Sequence, residues 1–165
     1  MNNALLIMVL AIAFGQDPGI APEPREVAFA ELPRECVVEY LPFLKRERSA
    51  ESTLVLECDL DGDGKKEMFV WTGEGGSGGE VWSVMTCRDS LWYRAGQLFG
   101  NLFLVDKPPY RGVLVETPLG WEYATWEYWE LRDDELQSRL KLQVRYRESD
   151  SHVLREKPRS IEILE

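Results

Sequence analysis

The stretch DLDGDGKKEMFV, residues 59–70, gathers four carboxylates, Asp59, Asp61, Asp63 and Glu67, into nine positions. Numbered from Asp59 they fall at positions 1, 3, 5 and 9, with glycine at 4 and 6. On a tightly turned loop, alternate side chains point toward a common centre, and the glycines permit the backbone angles such a turn requires. Without a counter-charge, each neighbouring pair of carboxylates costs on the order of 1 kcal/mol even at the dielectric of water. A cation removes that cost. Calcium accepts about six to eight oxygen donors, and the backbone carbonyl at position 7 is its usual additional ligand in such loops. The predicted site is therefore Ca²⁺ held by Asp59, Asp61, Asp63, the carbonyl of Lys65, and Glu67. The plain alternative is a solvated acidic turn, because Asp and Gly favour turns with no ion present.

Position 12 of the loop is Val70, where an EF-hand carries Glu, and EMFVWTG reads as a strand where an EF-hand continues as a helix. The stretch more closely resembles the DxDGDGxxD loop of FG-GAP-type and related secreted β-proteins, in which calcium sits in a turn between two strands. The resemblance implies that the side chains at positions 1, 3, 5 and 9 are ligands, here Asp59, Asp61, Asp63 and Glu67. Glu67 departs from the Asp of the pattern and brings a longer side chain. FG-GAP propellers repeat the loop in every blade, whereas this chain carries it once. The resemblance thus implies a calcium-binding hairpin and not a propeller.

The elements that must position the loop read mostly as strands. STLVLEC (52–58) enters it and EMFVWTG (67–73) leaves it; the first is β-branched and apolar, the second a short β-prone run. VWSVMTCR (81–88) and SLWYRAGQLF (90–99) flank Arg88-Asp89, which predicts a hairpin. NLFLVD and RGVLVETP flank the turn KPPYRG, and WEYATWEYWELR and ELQSRLKLQVRYR flank Asp133-Asp134. In the last of these, Leu136, Leu140, Leu142, Val144 and Tyr146 alternate with polar residues, the pattern of a half-buried antiparallel strand. SIEILE suggests a final strand. Upstream, Cys36, Val37, Tyr40, Leu41 and Leu44 recur at helical spacing and predict a short helix near 33–46. The fold class expected is mainly β: an antiparallel meander forming a barrel, sandwich or twisted sheet, with one short N-terminal helix.

Residues 1–15 hold no charged side chain and an apolar run from Ala4 to Phe14, too short to span a bilayer and suited to the core of a signal peptide cleaved before Gln16. Residues 16–31 read as a Pro- and Gly-rich linker, and 32–165 as a single β-rich domain. The expected location is secreted or periplasmic, with no membrane insertion after cleavage. Nineteen basic residues against twenty-nine acidic give a net charge of −10. That excess argues against nucleic acid or anionic lipid as a partner, since both need Lys and Arg to neutralise phosphate. Three cysteines, Cys36, Cys58 and Cys87, allow one disulfide or three buried thiols, and Cys58 paired with either of the others would tether the acidic loop.

Other chemistry has weaker footing. GEGGSGGE (73–80) lacks the GK[ST] ending of a phosphate loop and reads as a connection between strands. His152, the one histidine, lies in a polar segment beside Asp150 and Ser151 with no sign of a triad. The strand 121–132 interleaves Glu122, Glu127 and Glu130 with aromatics on both faces, Trp121, Tyr123 and Trp129 on one and Trp126 and Tyr128 on the other. One set must be core; Trp126 and Tyr128 are the candidate platform for a protein or carbohydrate partner, and core on both faces, beneath a covering loop, is the plainer alternative. Two functional classes follow. The first is an exported calcium-binding β-domain acting as a non-catalytic binding or structural module. The second is a small secreted carboxylate-dependent hydrolase of glycosidase type.

Overall fold

A computed structural model describes residues 23–38, 51–74, 79–107, 109–119, 123–146 and 161–164. Ten strands are present among them: β1 (Arg25–Ala28), β2 (Ser52–Cys58), β3 (Glu67–Glu74), β4 (Glu80–Arg88), β5 (Leu91–Phe99), β6 (Asn101–Lys107), β7 (Tyr110–Pro118), β8 (Tyr123–Arg132), β9 (Glu135–Tyr146) and β10 (Ile161–Leu164). They form two five-stranded antiparallel sheets, ordered β1-β2-β3-β4-β5 and β10-β9-β8-β7-β6. Strands adjacent in sequence pair with one another except β5 and β6, between which the chain changes sheet, so it is mainly β and meanders through one sheet and then the other. Neither sheet closes into a barrel among the described residues.

Local chemistry sets the turns. Asp89 and Ser90 have φ of 50° and 64°, and Asp133 and Asp134 have φ of 51° and 64°. Two consecutive left-handed residues make the type I′ hairpin turn, whose twist matches that of the strands it joins. The chain passes between sheets at Gly100, which separates Phe99 of β5 from Asn101 of β6. Its φ is 134°, and a Cβ there would lie 2.1 Å from the carbonyl oxygen of Glu116. The Gly100 N–H donates to the Glu80 carbonyl at 2.8 Å, and Thr117 Oγ1 donates to the Phe99 carbonyl at 2.5 Å. Strands of both sheets therefore grip this corner, and only glycine fits it.

The main core lies between the sheets. Leu56, Phe69, Trp82, Val84 and Leu98 from the first sheet meet Leu102, Val113, Val115 and Leu131 from the second. β4 shows buried residues at five successive positions, as a central strand covered on both faces should. On the outer face of the first sheet, Val55, Met68, Val70 and Met85 pack against Phe29, Leu32, Cys36 and Val37. These last belong to a 3-10 turn (Phe29–Glu31), the helix α1 (Arg34–Val38) and the link between them. A third cluster, of Val105, Leu114, Ala124, Trp126, Tyr128, Leu142 and Val144, is contributed by the second sheet alone.

Several expectations need correction. Residues 16–31 are not linker throughout: Arg25–Ala28 pairs with Ser52–Val55 as an edge strand, a tertiary contact that the local composition conceals. The helix expected over 33–46 is present at Arg34–Val38, and its remainder lies outside the described residues. The single apolar face expected of β9 is split by a bulge at Arg139, opposite Tyr128 and Trp129. Leu140, Leu142 and Val144 join the second-sheet cluster while Leu136 packs in the inter-sheet core, because one extra residue inverts the alternation.

None of the three cysteines is in a disulfide. Cys58 faces the inter-sheet core and Cys36 the opposite side of the same sheet. Cys87 lies on β4, with β3 between it and Cys58, about two strand spacings away and beyond disulfide reach. Neither pairing that would tether the acidic loop is compatible with this geometry.

Candidate metal site at the β2–β3 loop

The acidic loop is the hairpin connection between β2 and β3, closed by the cross-strand pair Cys58–Glu67. Leu60 is 2% exposed and drives the loop's first turn into the inter-sheet core. Its backbone N–H donates to Glu67 Oε2 at 2.7 Å, tying the start of the loop to its end. Gly62 and Gly64 have φ of 83° and 86°, so both loop glycines occupy the left-handed region that motivated the sequence reading. Asp59 accepts from the N–H groups of Gly62 (2.6 Å) and Gly64 (3.2 Å), and Asp61 accepts from Asp63 N–H at 3.0 Å.

Carboxylate oxygens of Asp59, Asp61 and Glu67 all lie within 4.8 Å of one another. Of the predicted side-chain ligands, these three converge. Asp63 is turned away, accepting from Lys65 N–H at 2.7 Å and pairing with Lys65 Nζ at 3.6 Å. Glu67 is 3% exposed. Burial pushes its carboxyl up to about 7; the Leu60 N–H works against that shift, and the charges of Asp61 and Asp63 add to it. A buried carboxylate beside two others, all of them hard oxygen donors, fits a hard divalent cation.

The adjacent Cys58 thiol is pushed up to about 12, chiefly by burial and then by Glu67 and Asp59. It stays protonated at neutral pH and offers neither a thiolate nucleophile nor a soft metal ligand.

The second sheet also reaches the loop. Arg111, in β7, places Nη1 3.7 Å from Asp59 Oδ2, while its Nε donates to Asp106 Oδ1 at 3.0 Å. A pocket of about 230 Å³ opens here, with Asp59, Asp106 and Arg111 on its polar side and Cys58, Leu60 and Leu104 among its apolar lining. Neither Arg111 nor Asp106 is expected at this place from sequence. Both flank a proline turn more than forty residues downstream, and only the folding of one sheet over the other brings them to the loop.

Trp126 and Tyr128, the expected partner platform, are 4% and 0% exposed. Trp126 stacks on Phe103 with ring centroids 5.4 Å apart. Both aromatic faces of β8 are thus occupied by core, with Trp129 packed in the inter-sheet cluster, and no exposed platform forms there. The Tyr128 hydroxyl is buried near the Glu130 carboxylate; burial first, and that carboxylate second, raise its pKa. Glu127 accepts from Ser138 at 2.7 Å and pairs with Lys141 at 3.6 Å. Glu130 pairs with Arg132 and Arg139 at 2.7 and 3.5 Å. Each carboxylate is committed to its own partners, an arrangement that lends no support to a glycosidase pair. Trp121, Glu122 and His152 lie outside the described residues. No family model, curated protein sequence or solved structure matches the chain.

Proposed function

We propose that the β2–β3 loop binds one divalent cation, calcium by its donor chemistry, and that the domain is an exported non-catalytic binding or structural module stabilised by that ion. The observation that carries the reading is the convergence of Asp59, Asp61 and Glu67, with Glu67 buried beside the other two carboxylates. Asp63 joins the set by exchanging Lys65 for the ion, and the Lys65 carbonyl adds a further oxygen. Calcium suits the site better than magnesium, because it accepts more ligands and tolerates irregular geometry. The ion would hold a hairpin end whose carboxylates otherwise repel, and by binding only the folded chain it would stabilise the fold through mass action. Export rests on the apolar, uncharged run of residues 1–15 and is checked by mass spectrometry of the mature N-terminus, expected at Gln16. The functional reading is tested by thermal unfolding of the chain from Gln16 onward in EDTA and in millimolar CaCl₂. The expected result is a clear rise in Tm with calcium that Asp61→Ala removes. An equal calcium response in the variant would detach the effect from this loop.

A further inference from the structure

We infer that Arg111 is a tethered cation that competes with the metal ion for Asp59, so that ion occupancy controls the contact between the acidic loop and the second sheet. The inference rests on the metal-site reading above and goes beyond it by naming the group that regulates the site.

Three observations carry it. Arg111 belongs to β7 of the second sheet, while the loop belongs to the first, so this contact ties the loop to a sheet other than its own. Its guanidinium lies directly against Gly62: a Cβ on that residue would sit 2.3 Å from Nη1 and 3.3 Å from Cζ. The missing side chain at loop position 4 is therefore what admits the arginine, in addition to freeing the backbone. Arg111 also has somewhere else to go. Asp106, 63% exposed, already holds its Nε at 3.0 Å, and the neighbouring pocket of about 230 Å³ leaves room for the head group to withdraw.

The electrostatics then set the sign. In the metal-free protein Arg111 brings a positive charge to a loop of four carboxylates and latches that loop to the β6–β7 hairpin. When a divalent ion takes Asp59, Arg111 and the ion become like charges at close range, and the arginine is left to Asp106 alone. At a separation of about 6 Å in high dielectric, a +1/+2 repulsion weakens ion binding about tenfold, and salt screens it. The site is thus held weaker than its carboxylates alone would make it. The Arg111 latch between the loop and the second sheet closes only when the ion is absent, while Leu60 stays anchored in the core in both states.

The experiment is titration calorimetry of the chain from Gln16 onward with CaCl₂ at low ionic strength, comparing wild type, Arg111→Gln and Arg111→Lys, with Tm measured in EDTA. Arg111 is 38% exposed, so both variants are expected to fold, and cooperative unfolding confirms it. Arg111→Gln is expected to bind calcium about tenfold more tightly while melting lower in EDTA, and the affinity gap should close toward 1 M NaCl. Arg111→Lys, which keeps the charge, should stay within about twofold of wild type. Equal or weaker calcium binding by Arg111→Gln overturns the latch while leaving the metal site standing, as does a lysine variant that behaves like the glutamine one. Absence of any binding or thermal response in the wild type overturns the site itself, and the latch with it.

Discussion

Replacing Glu67 by Gln should stabilise the metal-free protein and cripple its response to calcium, two effects of opposite sign from one substitution. Glutamine is nearly isosteric and its carbonyl oxygen can still accept the Leu60 N–H that Glu67 Oε2 accepts at 2.7 Å. What changes is the charge. Burial raises the Glu67 carboxyl from 4.5 to about 7, so the folded chain holds a proton that the unfolded chain has released. Below about pH 4.5 the carboxyl is protonated in both states and costs nothing. As pH rises from 4.5 to 7 the folded state binds more protons than the unfolded, and metal-free stability falls. Above pH 7 the loss is complete, on the order of 3 kcal/mol at most for a displacement of this size. Urea denaturation in EDTA should therefore find Glu67→Gln close to wild type at pH 4.5 and more stable than it at pH 8, by up to about 3 kcal/mol. In calcium at a hundredfold excess over Kd, wild type gains about 2.7 kcal/mol and the variant gains much less, so the gap narrows or reverses. A variant less stable than wild type in EDTA at both pH values would refute the reasoning. It would mean that the ionised Glu67 is already well compensated by its surroundings.

Other substitutions probe the frame around the loop. Gly100→Ala should cost roughly 2–4 kcal/mol in urea denaturation, because its Cβ would meet the Glu116 carbonyl at 2.1 Å and φ is 134°. Ser90→Gly should raise stability by about 0.5–1 kcal/mol in the same assay, since Ser90 holds a φ of 64° that glycine adopts without strain. Leu60→Ala should cost about 2–5 kcal/mol, as expected for a large side chain that is 2% exposed in the core, and should also blunt the calcium-dependent rise in Tm by loosening the loop's anchor.

The strands and hairpin turns were legible because their signals are local. Alternation, β-branched runs and the polar pairs Arg88-Asp89 and Asp133-Asp134 announce a hairpin meander without reference to the rest of the chain, although the first turn falls one residue later, at Asp89-Ser90. Likewise the loop spacing predicted a convergence of Asp59, Asp61, Asp63 and Glu67, of which the backbone delivers Asp59, Asp61 and Glu67. What escaped was decided at long range. Arg25–Ala28 looks like spacer until β2 pairs with it, and Gly100 looks like an ordinary glycine until Glu116 closes on it. The bulge at Arg139 shifts a strand whose alternation seemed uninterrupted, sending Leu136 and Leu140 to different clusters. Trp126 and Tyr128 illustrate the same limit. Periodicity assigns aromatics to two faces of β8 and leaves platform and core both open for the second face; packing makes both faces core. Arg111 and Asp106 reach the loop through the stacking of two sheets, which no spacing within either segment encodes.

Residues 59–67 are proposed to hold a calcium ion. Equilibrium dialysis of the chain from Gln16 onward against ⁴⁵Ca²⁺ at pH 7.5, with and without excess MgCl₂, tests it most directly. The account predicts saturable binding of one ion per chain, little displaced by magnesium and lost in Asp61→Ala. No saturable binding, or undiminished binding by that variant, would contradict it and leave Asp59 to Glu67 a solvated acidic turn.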